Sequence, residues 1–250
     1  MLAPFIRQAV SPHLSLVIPA FNEERRLPAC IQAVTEFSAL LPYAHETLIV
    51  VEPSCDRTLE LAHELTAPHS TMAVITNPEH RGKGSAVRRG MLTARGAHVF
   101  YMDADMSVPL REVHSFLRHF DAHPEIDLLI GNRQHTQSRI ARRQSFVRRR
   151  LGGIFNVILR QYGIAQLHDT QCGFKAFRYA AGRSIFARQT LDGFAFDVEV
   201  LLLANELGFR VADLPVEWVN SPESRVRIVR DSLAMLRDAS RLRRRFGKRP

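Results

Sequence analysis

A chain of 250 residues, 46% hydrophobic and 24% charged, can bury one large core, and its composition excludes a disordered or fibrous protein. Three scattered cysteines, Cys30, Cys55 and Cys172, exclude a disulfide framework and show no metal-ligand spacing. No run approaches the ~18 apolar residues of a spanning helix, and residues 1–12 lack a signal-peptide pattern. The net charge of +9 is concentrated in two places. Arg139, Arg142, Arg143, Arg148, Arg149 and Arg150 form one cluster, and Arg241, Arg243, Arg244, Arg245, Lys248 and Arg249 form the other. With those set aside, 22 basic residues face 25 acidic ones, so the body is mildly acidic. Such clusters meet phosphate, of nucleic acid or of anionic lipid. The absence of a helix-turn-helix, zinc or RNA-recognition signature argues against nucleic acid.

In chain order, residues 14–18 read as a buried strand closed by Pro19 and followed by Phe21, Asn22 and Glu23. Leu27, Ile31, Val34, Phe37 and Leu41 recur at helical spacing, with Pro28 tolerated in the first turn. Residues 47–51 predict a second strand, ending at Glu52 and Asp56; a helix over 59–65 and a strand over 72–75 follow. Residues 82–95 predict a helix opened by Arg81-Gly82-Lys83-Gly84, whose free amides and Lys83 would favour an anion. The next strand, Val99-Phe100-Tyr101-Met102, stops at Asp103 and Asp105. Carboxylates two residues apart point the same way in extended backbone. At the C-terminal end of a parallel strand they open on the crevice where α/β proteins bind ligands. Two hard oxygen ligands suit Mg²⁺ or Mn²⁺ completed by a diphosphate, although turn chemistry alone also places Asp there. The strand–helix alternation implies an α/β fold, a sheet with right-handed crossovers and helices on both faces.

Further on, residues 127–131 predict a strand ending at Asn132 and Arg133. Val147, Leu151, Ile154, Phe155, Ile158 and Tyr162 share one helical face behind the first arginine cluster. That pattern fits either a core helix or a membrane-interfacial segment, and residues 139–165 are set apart as an interfacial insertion. Residues 172–178 predict a strand returning to the sheet, and 194–207 a helix with Asp197 and Glu199 in its first turn, where the helix dipole favours acids. Residues 211–219 predict a last strand, with Pro215 marking an edge. One α/β domain over 1–220 is thus followed by a basic amphipathic helix over 221–250.

Val17-Ile18-Pro19-Ala20-Phe21-Asn22-Glu23, Ser54-Cys55-Asp56-Arg57-Thr58, Arg81-Gly82-Lys83-Gly84-Ser85-Ala86 and Asp103-Ala104-Asp105-Met106-Ser107 resemble, in that order, the family 2 glycosyltransferases of the GT-A fold. Asp169-Thr170-Gln171-Cys172-Gly173-Phe174-Lys175 and Phe196-Asp197-Val198-Glu199 resemble the branch holding dolichyl-phosphate β-glucosyltransferases and polyprenyl-phosphate sugar synthases. The resemblance implies a Rossmann-like, mostly parallel sheet and an inverting transfer of a sugar, glucose first, from a UDP-sugar to polyprenyl or dolichyl phosphate. It implies Asp103 and Asp105 as the carboxylates for Mg²⁺ or Mn²⁺ and the diphosphate, with Ala104 between them in the donor set. Pro19, Phe21 and Glu23 would frame the nucleotide, and Glu52 and Asp56 would accept hydrogen bonds from uridine. Lys83 and Arg225 would add cations to the diphosphate, Asp169 and Gln171 would lie near the donor sugar, and Arg133 would meet the acceptor phosphate. Glu52 stands where the family usually has the second Asp of an Asp-Asp-Gly-Ser motif, and Pro53 replaces its glycine. A phosphate acceptor arrives ionised and needs positive charge; a hydroxyl acceptor, the alternative, would use Asp197 as general base. The arginine clusters would hold the enzyme on an anionic membrane surface, at the cytoplasmic, inner face.

Overall fold

The computed structural model describes residues 11–133, 135, 136, 138, 169–219, 237, 238 and 240–246. The expectations for residues 139–165, for Arg225 and for most of residues 221–250 lie outside the described residues. The elements follow one another as β1 (Leu14–Ala20), α1 (Leu27–Ala39), β2 (His45–Val51), α2 (Thr58–Thr66), β3 (Met72–Thr76), α3 (Lys83–Thr93), β4 (His98–Met102), α4 (Glu112–Ala122), β5 (Leu128–Asn132), β6 (Phe174–Arg178), α5 (Tyr179–Phe186), α6 (Phe196–Glu206) and β7 (Val211–Pro215). They form a seven-stranded sheet in the order β3-β2-β1-β4-β6-β5-β7. Strands β1 to β4 are mutually parallel, β5 is parallel to β7, and β6 runs antiparallel between β4 and β5. The sheet is mostly parallel, as expected, and β7 with Pro215 is an edge.

The central strands are apolar on both faces because both faces are covered. Val17, Val99 and Tyr101 point to one side, into a cluster with α3, α5 and α6 that also takes Leu242. Leu16, Ile18, Phe100 and Met102 point to the other, among α1, α2 and α4. Helices α4 and α5 were not anticipated. Val113, Phe116, Leu117 and Phe120 of α4 stand at helical spacing and are buried, with His114 and His119 off that face and less buried.

The N-terminal ends of β1 and β2 are sealed. Ser15 Oγ donates to Glu46 Oε1 at 2.7 Å and accepts from Gly96 N at 2.8 Å. Burial works against the Glu46 charge, but Ser15 and Arg95 outweigh it and lower its pKa. Function is left to the opposite, C-terminal ends.

His98, buried at the start of β4, stacks on Phe120 with ring centroids 5.2 Å apart and meets His13 edge-on at 5.0 Å. Burial first, then His13 and Arg178, lowers its pKa from 6.5 to about 4. A base so depressed binds its proton better in the unfolded chain. Its contribution is therefore complete above about 6.5 and drains away as pH falls toward 4, a loss of about 3 kcal/mol at ~1.4 kcal/mol per pH unit. His98→Phe is expected to flatten this fall, measurable as urea midpoints at pH 7 and pH 4.5.

Candidate active site

The loops after β1 and β2 are bonded into one rim. Asn22 Oδ1 accepts from Cys55 N at 2.9 Å, and Asn22 N donates to Ser54 Oγ at 3.0 Å. Glu23 N donates to Thr58 Oγ1 at 2.7 Å, and the Glu23 carboxylate pairs with Arg26. Asp56 accepts from Thr58 N at 3.0 Å, at the start of α2, and from Glu24 N at 3.3 Å. Pro19 is tolerated in β1 because pairing with β4 has ended at Val17, while β2 continues beside it. Phe21 is exposed and stacks on His80 across the crevice, with centroids 4.0 Å apart. Asn22 and Met106 are the non-glycine residues with positive φ among the described residues, at 55° and 53°. They follow β1 and β4, adjacent central strands, and such strain clusters at functional sites.

The start of α3 is not an open anion cradle, which corrects the expectation of free amides. Its anion is already present: the buried Glu52 carboxylate accepts from Arg81 N at 2.7 Å, Gly82 N at 3.1 Å and Asn77 Nδ2 at 2.6 Å, and meets His80 Nδ1 at 2.9 Å. The carbonyl of Asp192 accepts from Gly84 N at 2.7 Å and Ser85 N at 3.3 Å. Gly82, at φ 123°, makes the turn that presents these amides. Glu52 is thus the fastener of the loop over 77–84, and its carboxylate is committed there rather than turned to a nucleotide.

What this fixed loop presents to the crevice is Lys83. Its Nζ lies 2.6 Å from Asp103 Oδ1, with the Asp103 side chain 38% exposed. Burial pulls the Lys83 pKa down, but Asp103, Asp197 and Asp105 together outweigh it and leave it raised. Asp105 turns Oδ1 back to Ser107 N at 3.0 Å, and Ala104 between them is buried. Asp103 is backed by Gly173, where an added Cβ would stand 2.0 Å from Oδ2. Two carboxylates on one short turn, closed behind by a glycine, fit a hard divalent cation.

Beneath them, Asp197 Oδ1 accepts from Tyr101 Oη and from Lys175 Nζ, the latter at 2.5 Å. Lys175 is fully buried on β6 and also donates to the Cys172 carbonyl at 2.7 Å. Burial and then Asp197 raise the Tyr101 pKa, so the phenol stays a donor. This corrects the reading of Asp197 as a general base: its carboxylate is buried and its charge is spent on Lys175 and Tyr101. Arg133 is corrected likewise. Its Nε and Nη2 fork onto Asp169 at 2.6 and 2.7 Å, its backbone N adds a third bond at 2.8 Å, and its guanidinium lies 5.9 Å from the Trp218 ring centroid. It is a half-buried latch between the end of β5 and the 169–173 turn, and its bidentate edge is not free for phosphate. Gln171, in the same turn, has a buried Nε2 with no hydrogen-bond partner among the described residues.

Further ion pairs complete the site, one of them from a residue the sequence did not single out. Asp192 pairs with Arg81 at 2.8 Å and Arg88 at 3.0 Å, and nothing in its local sequence marked it. Glu199 accepts from the amides of Thr190 and Leu191 and pairs with Arg245 at 2.6 Å. Arg241 pairs with Asp238 at 3.2 Å. The second arginine cluster is therefore partly neutralised by acids.

Residues 15–186 match the family described as Glycosyl transferase family 2. The chain belongs to that family. It is a glycosyltransferase, similar to the dolichyl-phosphate beta-glucosyltransferases of Dictyostelium discoideum (30% identical, covering 94% of this chain and 75% of the relative) and Drosophila melanogaster (32%, covering 94% and 76%). Among solved structures it is similar to mannosyl-3-phosphoglycerate synthase from Rubrobacter xylanophilus, with TM-score 0.73, 20% identity, and coverage of 95% of this chain and 76% of that one. A second is glucosyl-3-phosphoglycerate synthase from Mycobacterium tuberculosis, solved with Mn²⁺, UDP and glucosyl-3-phosphoglycerate, with TM-score 0.67, 21% identity, and coverage of 96% and 81%. These likenesses establish the GT-A fold. No helix among the described residues is long and apolar enough to cross a membrane.

In a family 2 glycosyltransferase the Gly173 contact makes a specific prediction. The clashing atoms belong to a movable side chain, so Gly173→Ala is expected to keep its thermal midpoint within a few degrees while pushing Asp103 aside. Misplacement of about 1 Å at a reacting centre costs roughly a hundredfold, which steady-state sugar transfer beside a melting curve would reveal.

Proposed function

We propose that the chain transfers a hexose from a UDP-sugar, UDP-glucose first, to a polyprenyl phosphate of the dolichyl type, with inversion at the anomeric carbon. The observation that carries the reading is the pair Asp103 and Asp105, presented with Lys83 at the C-terminal end of β4. The acceptor class is supported by relatives named for dolichyl phosphate that align over 94% of this chain. Mg²⁺ or Mn²⁺ would be held by Asp103 and Asp105 and would supply Lewis-acid stabilisation to the departing nucleotide diphosphate.

The remaining steps belong to the protein's own groups. Phe21, backed by His80, offers a face to the base beside Pro19, while the Asn22–Cys55 and Glu23–Thr58 bonds hold that rim. Lys83 contributes a cation to the diphosphate, with Arg225 as a further candidate from the sequence. The Gln171 amide, which has no partner among the described residues, is a donor for a sugar hydroxyl, since a buried amide without a partner is costly. The acceptor phosphate oxygen forms the new bond to the anomeric carbon as the bond to UDP breaks. No proton need be removed, which agrees with a site whose carboxylate at Asp197 is already neutralised. A hydroxyl acceptor would need a base other than the paired Asp197. Asp105→Asn is expected to lower metal-dependent transfer by ~10²-fold or more in a folded protein. A panel of labelled nucleotide sugars with polyprenyl-phosphate vesicles and Mn²⁺ tests donor and acceptor together; label on lipid from no donor would refute the reading.

Attachment to an anionic surface, at the cytoplasmic, inner face, then depends chiefly on the first arginine cluster. Sedimentation with anionic vesicles is expected to weaken as salt rises, and replacing Arg148, Arg149 and Arg150 with Gln is expected to weaken it further, most clearly at low salt. Arg245→Gln, whose partner is Glu199, is expected to lower the melting temperature and to leave vesicle binding almost unchanged.

A further inference from the structure

We propose that Lys83 is a resident counter-ion of Asp103, which holds the place of the divalent cation until a nucleotide diphosphate draws it away. This rests on the reading of Asp103 and Asp105 as metal ligands. Three observations lead to it. Lys83 Nζ is 2.6 Å from Asp103 Oδ1. The other oxygen, Oδ2, faces Gly173, with 2.0 Å to the position a Cβ would take. Oδ1, 3.0 Å from that position, is the less crowded of the two oxygens and the one that faces Lys83, so it is the oxygen better placed for a metal. Finally, the backbone around Lys83 is pinned: Gly82 N to Glu52, and Gly84 N and Ser85 N to the Asp192 carbonyl. Lys83 cannot leave by moving the loop, only by rotating its flexible four-carbon stem.

A divalent ion within ~2.2 Å of Oδ1 would stand a few ångströms from the ammonium, and like charges at that range repel strongly in a partly buried site. Metal binding to the nucleotide-free enzyme therefore has to displace Lys83. A nucleotide diphosphate changes the balance by offering the ammonium another anion within reach of the same stem. Metal and nucleotide are then taken up together, each easing the other's entry, and by linkage the effect is reciprocal. An enzyme of this kind holds little free metal between turnovers.

The sign of one substitution separates this from a simple phosphate ligand. Lys83→Gln is expected to bind Mn²⁺ alone more tightly than the wild type, on the order of tenfold, in an electron paramagnetic resonance titration of free Mn²⁺. The same variant is expected to bind UDP more weakly at saturating Mn²⁺, and UDP is expected to tighten Mn²⁺ less than it does in the wild type. Lys83→Arg, which keeps the charge, should leave Mn²⁺ affinity near that of the wild type; Lys83→Met repeats the neutral case should the Gln protein not fold. Unchanged or weaker Mn²⁺ binding by a folded neutral variant overturns the proposal, as does no Mn²⁺ binding by either protein without UDP. Asp103→Asn distinguishes the two levels. If it abolishes Mn²⁺ binding and the neutral variants show no tightening, only the counter-ion role falls. If it leaves Mn²⁺ binding intact, the metal-site reading falls with it.

Discussion

The site depends on a buried ion pair. Lys175 is a fully buried ammonium on β6, and such a charge is tolerated only when paired and hydrogen-bonded. Asp197 supplies the charge, and the Cys172 carbonyl takes a further bond. The pair ties the first turn of α6 to β6 and, through Cys172, sets the turn that carries Gly173 against Asp103. Removing one partner of such a pair commonly costs 3–5 kcal/mol, because the other is left uncompensated. The geometry at Asp103 is therefore determined from below, by groups that do not reach the crevice.

Above that base, the crevice is held by acids acting on backbone. Glu52 gathers two amides of the 77–84 loop, Asp56 holds the start of α2, Glu199 takes the amides of Thr190 and Leu191, and Asp169 takes that of Arg133. In each case a carboxylate satisfies donors that a loop would otherwise leave buried and unpaired. That is why so few of the acids at the strand ends remain open. Among the described residues at the end of β4, Asp105 gives one oxygen to the Ser107 amide, while Asp103 faces the crevice and is paired with Lys83.

Much of this could be read in one dimension. The β1 to β4 order, the two carboxylates after Met102 and the glycine–lysine turn before α3 are local patterns, and the family motifs follow from them. The long-range pairings could not be read. Glu199 meets Arg245 and Asp169 meets Arg133 across 46 and 36 residues, so both arginines look unpaired in sequence. The same holds for Asp197, whose place in a first helical turn was evident while its burial against Tyr101 and Lys175 was not. An acid's distance from a strand end in sequence says nothing about whether its charge is already spent.

The reversed direction of β6 bears on how the chain is made. In the finished sheet β5 pairs with β6 and β7 and not with β4, which precedes it. During synthesis Leu128, Leu129 and Ile130 emerge with both strand edges open, and residues 133–173 must follow before β6 can join them to the first four strands. At ~5–20 residues per second that interval is roughly two to eight seconds, long for an apolar strand with unpaired edges. The nascent chain is most exposed to association just there, between completing the first four strands and receiving the one that joins them to the rest of the sheet.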